Sequence, residues 1–235
     1  MKHLIKLNFI HLITFLILLN SCSKEINPIK NSYNYSSVFC NGNPTTIVNV
    51  INPKTGKTWM DRNLGATNAA TSSTDTAAYG DLYQWGRGAD GHQCRNSATT
   101  SILSSTDHPN HANFILAPLS NPYDWRTPQN DNFWQGVNGV NNPCPNGYRL
   151  PTVSEFIEEI SSWTPKTVWG AINSPLKFTL AGARGFGNGS IGKVGQIGYY
   201  WSSTVSGSEA NSLYLGANII GANRALGYSV RCIKD

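Results

Sequence analysis

Residues 1–22, MKHLIKLNFIHLITFLILLNSC, constrain this chain more than any other feature, because they set the chemistry of the compartment in which the rest folds. Lys2 and Lys6 precede an apolar run from Leu7 to Leu19, broken only by Asn8, His11 and Thr14, and Ser21 stands directly before Cys22. The pattern predicts an export signal: the run is too short for a comfortable bilayer span, and a small residue before a cysteine suits a lipoprotein signal peptidase. The expected product loses residues 1–21, carries lipid on Cys22 and is an outer-membrane lipoprotein, facing the cell surface or the periplasm. Its first partner is then the membrane itself, through the lipid. Exported chains fold where thiols oxidise, so Cys40, Cys94, Cys144 and Cys232 are expected to form two disulfides, in any of three pairings.

Export also narrows the classes of function. The formal charge of +5 falls to +3 (5 − 2) once Lys2 and Lys6 are removed. Arg149, Arg184, Arg224 and Arg231 are scattered along the chain and read as solubilising or packing groups, so no nucleic-acid partner is expected. Charged residues make up 13% of the chain, beside 22 Gly, 7 Trp and 10 Tyr, a composition that favours short strands and long loops over helix bundles.

The pattern of residues divides the chain into the signal (1–21), a lipid-anchored tether rich in Asn, Ser and Pro (22–45) and a single domain (46–235). Thr45–Ile51 and Thr58–Asp61, separated by Asn52–Lys57, predict a β-hairpin. Tyr79, Leu82 and Tyr83 at i, i+3 and i+4 predict a short helical turn that stops at Gly86. Thr152-Val153-Ser154-Glu155 after Pro151 is a capping box. It predicts a helix to about Trp163 with Val153, Phe156, Ile157 and Ile160 on its apolar face and Glu158 and Glu159 on the polar one. Strand signals resume at Phe178–Leu180 and continue through Gly198–Ser203 and Ser212–Leu215 to Tyr228–Cys232, whereas residues 86–141 show no periodicity and read as extended loops over the core. The expected class is α+β, with short antiparallel sheets, about two short helices and long loops.

Four segments carry a family resemblance: Trp59-Met60-Asp61-Arg62-Asn63-Leu64-Gly65, Tyr79-Gly80-Asp81-Leu82-Tyr83-Gln84-Trp85-Gly86, Cys144-Pro145-Asn146-Gly147-Tyr148-Arg149-Leu150-Pro151 with the capping box after it, and Tyr200-Trp201-Ser202-Ser203 with Gly227–Cys232. In this order they resemble the Fibrobacter succinogenes major paralogous domain family over residues 46–235. The third segment is also similar to the C-type lectin-like fold, in which a cysteine before a Gly-x-x-Leu strand pairs with one on the last strand. The resemblance therefore implies a Cys144–Cys232 bond around 87 intervening residues, worth about 4 to 5 kcal/mol on the chain-entropy model, and leaves Cys40 to pair with Cys94.

Catalytic chemistry finds little support in the residues, and the chain is expected not to be an enzyme. Glu155, Glu158 and Glu159 are the one carboxylate cluster and are accounted for by the helix; no Gly-x-Ser-x-Gly elbow or His-Glu-x-x-His motif is present. The resemblance extends to formylglycine-generating enzymes, but their reactive cysteine pair is reduced here to Cys232. His92, Cys94, His108 and His111 fit no zinc spacing, and neither a metal nor another cofactor is expected. What remains is recognition. In lectin-like folds the ligand surface lies before the last strand, which implies Asn211, Tyr214, Asn218, Asn223 and Arg224 as ligand-binding residues, with Tyr200 and Trp201 packed inside. Related lectin-like lipoproteins include hypervariable ones whose altered positions often read as Asn; here the asparagines are read simply as common loop residues. The expectation is a non-catalytic binding or adhesion module for glycan or protein, with a structural component of a cell-surface array as the alternative.

Overall fold

The β-branched run before Asn52 and the Trp-bearing run after Lys57 pair as an antiparallel hairpin, β1 (Asn49–Ile51) and β2 (Thr58–Met60), with Val50 opposite Trp59. The computed structural model describes residues 37–235, so the signal and Cys22 lie outside the described residues. Along the chain follow β3 (Tyr83–Gln84), β4 (Thr99–Thr100), β5 (Phe114–Ile115), β6 (Tyr148–Arg149), α1 (Val153–Ser162) and α2 (Val168–Asn173). The remaining strands are β7 (Ala183–Arg184), β8 (Ile191–Gly192), β9 (Tyr199–Ser206), β10 (Glu209–Tyr214), β11 (Asn218–Asn223), β12 (Gly227–Tyr228) and β13 (Ile233–Lys234). Small, mostly antiparallel sheets, two helices and long connections make this an α+β fold.

The last strand is central. β13 sits between β2 and β6 in the order β1-β2-β13-β6, so Ile233 pairs with both Trp59 and Arg149. The Cys144–Cys232 disulfide fastens the chain just before β6 to the chain just before β13, and the second disulfide joins Cys40 to Cys94. A second sheet has the order β3-β12-β7-β8, and a third β11-β10-β9. The third divides the core. Tyr200, Leu213 and Ile219 point from one of its faces into a cluster with Trp59, Phe156 and Phe178, whereas Trp201, Ala210 and Ala222 point from the other into a cluster with Trp85, Trp125 and Trp134. Alternation along strands buried on both sides produces this arrangement, and it explains why these strands are apolar on both faces at the β9 end.

Several expectations need correction. Residues 79–83 do not form a helical turn: a short 3-10 turn at Thr76–Ala78 ends before them, Gly80 has φ of +68°, and Tyr83 enters β3. Tyr79, Leu82 and Tyr83 are all buried, so their spacing reflects a chain packed on every side rather than one helical face. In α1 the capping box forms, but Ile157 is exposed and Glu159 is buried. Glu159 can be interior because Asn52 Nδ2 and Trp163 Nε1 donate to its carboxylate at 2.7 and 2.9 Å. Part of the expected tether belongs to the folded body: Val38 N–H donates to Ala89 O at 2.6 Å and Phe39 packs against the core. Residues 86–141 do more than cover the core; they supply Phe114, Ile115, Trp125, Phe133 and Trp134 to it.

Candidate functional site

The β10–β11 hairpin carries the five residues implied as ligand-binding, and its register separates them. Glu209 pairs with Asn223 and Asn211 with Gly221, on the face that Leu213 and Ile219 share; Tyr214 pairs with Asn218 on the opposite face and at the opposite end. Two surfaces result instead of one. On the first, the Tyr214 ring folds over Gly216, where a Cβ would fall 2.2 Å from Cε1, and tilts against Tyr199 at 5.7 Å. Tyr199 in turn stacks on the buried Tyr228 at 4.6 Å, so the aromatic surface is the outer end of a ladder rooted in the core. On the second, Glu209, Asn211 and Asn223 gather about Gly221, and a Cβ on Gly221 would lie 2.3 Å from Glu209 Oε2. None of these three side chains makes a hydrogen bond or ion pair among the described residues.

Arg224 belongs to neither surface, which corrects the expectation that it is available to a ligand. Its relative exposure is 0%, its guanidinium lies 4.7 Å from the centre of the Trp85 ring, and Nη2 donates to Asp131 Oδ1 at 2.6 Å and Gly207 O at 3.0 Å. Asp124 Oδ2 is 3.9 Å away, and burial of that carboxyl raises its pKa despite hydrogen bonding from Gln129 and the pull of Arg224. The arginine fastens the turn before β10 to the 124–131 loop through its two Nη groups, while its Nε is buried without a hydrogen-bond partner among the described residues.

Of the groups that sequence suggested for metal or acid–base chemistry, Cys94, His92 and Glu155 have structural partners. Cys94 is in a disulfide. His92 is fully enclosed: Nε2 accepts from Gln84 N–H at 3.0 Å, Nδ1 lies 2.6 Å from Asp90 Oδ1, and burial together with Arg87 lowers its pKa to about 4. Among the described residues no three His, Cys, Asp or Glu side chains are grouped to hold a metal ion. Glu155 accepts from Thr152 N–H and receives both ends of the Arg149 fork at 2.8 Å; burial raises its pKa, but these bonds outweigh it and hold the carboxyl below its ordinary value.

A cleft of about 680 Å³ lies elsewhere, between residues 88–90, 107–110 and 137–146. Its walls are framed by two committed amides: Asn141 Nδ2 donates to Gly86 O and Asp107 O at 2.9 and 2.8 Å, and Asn142 Nδ2 to Val137 O and Tyr148 O at 3.0 and 2.9 Å. Asp90 closes one side, held strongly ionised by His92 and Arg87 against the cost of its burial. His108, Asn110, Asn138 and Asn146 stand around the opening, exposed, with no hydrogen bond from their side chains among the described residues. The sequence gives no periodic signal for this site, because its residues come from separate loops brought together by the Cys144–Cys232 segment and the packing of Trp134. The density of asparagine in residues 110–146 is the one available hint.

Comparison of the chain with family models, curated proteins and solved structures finds no match.

Proposed function

We propose that this chain is a non-catalytic recognition module of the bacterial cell envelope, a C-type-lectin-like member of the Fibrobacter succinogenes major paralogous family, held at the outer membrane by lipid on Cys22 and binding glycan in the asparagine-lined cleft. The observation that carries the reading is the set of four uncommitted polar side chains, His108, Asn110, Asn138 and Asn146, around an opening whose frame is already hydrogen-bonded. Amides offer a donor and an acceptor within one rigid plane without net charge, which matches neighbouring sugar hydroxyls. The lectin-like part of the reading draws support from the Cys144–Cys232 bond, from α1 directly after β6, and from the last strand lying beside β6.

The test is a glycan array probed with the full-length protein in detergent, followed by titration of the best ligand against the double variant Asn138→Ala/Asn146→Ala. Both positions are exposed, so folding should be unchanged while affinity falls by about tenfold or more, a loss of about 1.4 kcal/mol or more. If Tyr214→Ala/Asn218→Ala abolishes binding instead, the site is the aromatic surface and the cleft assignment fails. A second reading, assembly into a cell-surface array, is favoured by one specific observation, the open outer edge of β11.

A further inference from the structure

The two edges of the β11-β10-β9 sheet differ. That of β9 is occupied: Trp201 N–H donates to Ser229 O at 3.0 Å, Ser229 N–H to Tyr199 O at 3.1 Å and Ser203 N–H to Pro151 O at 2.9 Å. That of β11 is open, since no backbone hydrogen bond other than those to β10 reaches Ile219–Ala222 among the described residues. Proteins blunt such edges with lysine, proline, bulges or covering loops, because every second residue presents an unpaired N–H and C=O to any extended chain. The strand, Asn-Ile-Ile-Gly-Ala-Asn, has no charge and no proline, and its register with β10 is unbroken over six pairs. The charge on the neighbouring β10 is Glu209, whose carboxylate overlies Gly221 with no ion pair among the described residues, flanked by Asn211 and Asn223; Arg224, just after the strand, is buried and paired with Asp131.

The geometry points to β11 as a docking edge for an extended peptide strand that carries a lysine or arginine opposite Gly221. Main-chain pairing supplies the length of the contact, as in other strand additions to sheet edges, and the side chains on alternate positions supply selectivity. Gly221, lacking a side chain, lets the Glu209 carboxylate lie over the strand, where it provides the counter-charge for a long basic side chain opposite, and the two amides accept its remaining protons. A second copy of this chain fits worse. Antiparallel self-pairing about a two-fold axis sets one residue opposite its own equivalent, Gly221 on Gly221 or Ile220 on Ile220, and so keeps both Glu209 carboxylates on the same face close to the axis, where like charges repel. The occupant is therefore a different, basic strand, and the edge is a site distinct from the asparagine-lined cleft.

The experiment uses full-length protein in detergent and three eight-residue peptides of alternating threonine and valine: one with a central lysine, one with glutamate in its place, and the lysine peptide with alternate backbone nitrogens methylated. The lysine peptide is expected to bind and to slow amide hydrogen exchange in Ile219–Ala222; the methylated and glutamate peptides are expected to bind at least about fivefold more weakly, and Glu209→Gln to remove the preference for lysine over glutamate. Equal binding of the methylated peptide, protection outside β11, or a lysine preference that persists in Glu209→Gln would each overturn the proposal. So would concentration-dependent dimerisation of the free protein that protects the same amides, since the edge would then belong to a second copy.

Discussion

Arg87, Arg184, Arg224 and Arg231 are all buried, and each lies over an aromatic ring: Trp125 at 5.6 Å, Phe114 at 4.3 Å, Trp85 at 4.7 Å and Phe178 at 5.2 Å. Backbone carbonyls and side-chain oxygens complete their surroundings; Arg231, for example, donates to Leu176 O at 2.7 Å and to the side-chain Asn63 Oδ1 at 2.8 Å. A guanidinium tolerates this because its charge is delocalised and weakly hydrated, and the many carbonyls left unpaired by short strands find donors in it. Asp81 has no such company. It is 7% exposed, its carboxylate makes no hydrogen bond among the described residues, and burial raises its pKa to about 7, with Arg95 pulling in the opposite direction. A folded-state value above the ordinary 3.8 means that the native state holds the proton more tightly than the unfolded chain. The resulting stability is present in full below the ordinary value and is lost as the pH rises from about 4 to about 7. Asp81→Asn should therefore unfold at a higher temperature than the parent at pH 8 and show a flatter pH profile between 4 and 7. Calorimetry across that range decides the matter, and a variant as pH-dependent as the parent would remove Asp81 as the cause. The sequence identifies the aspartate within a motif, but its burial follows from the close approach of Gly65, where a Cβ would lie 2.2 Å from the Asp81 carboxyl carbon, and no local pattern reports that distance.

Elements whose signals are local were readable in advance, and α1 shows both the reach and the limit of that reading. Thr152 Oγ1 accepts from Glu155 N–H at 3.3 Å and Glu155 Oε2 accepts from Thr152 N–H at 2.8 Å, as the four-residue pattern predicts. The pattern does not show that Arg149 on β6 grips the same carboxylate, so that one side chain caps the helix and ties it to the sheet holding the last strand. Glu155→Ala should accordingly cost more than a cap alone, about 2 to 3 kcal/mol in chemical denaturation, whereas Glu155→Gln, which keeps the cap, should cost about half as much. Equal losses in the two variants would show that the ion pair, not the cap, is what matters. The depressed pKa of this group sets its pH dependence: its contribution is present above the ordinary value of 4.5 and fades as the pH falls through the lower folded one. The same helix misleads at Ile157 and Glu159, because a periodic pattern assigns faces by polarity. Donors arriving from Asn52, 107 residues earlier, make a carboxylate the better interior group.

At the scale of the whole molecule, the disulfides act on two different kinds of structure. The chain-entropy model makes them nearly equal, about 4 kcal/mol for the Cys40–Cys94 separation of 54 residues and about 4.6 kcal/mol for the Cys144–Cys232 separation of 88. Their surroundings are unequal. Cys232 is fully buried beside β13, in the sheet that joins the first hairpin to the end of the chain, and its partner Cys144 is 7% exposed at the wall of the cleft, so the closed sheet shields the bond. Cys40 is exposed, on a segment tied to the body by Val38 N–H to Ala89 O and Gln93 Nε2 to Val38 O at 2.8 Å, with Val38 itself exposed. Local opening of that segment costs less than global unfolding, so the two bonds should respond to a reductant on different time scales. Under native conditions with a mild thiol reductant, alkylation followed by peptide mass spectrometry should label Cys40 and Cys94 first, while tryptophan fluorescence stays native. Cys144 and Cys232 should become labelled only as fluorescence is lost. Simultaneous labelling of all four would mean that residues 37–45 unfold together with the core, and the strap would then be as integral to the domain as its last strand.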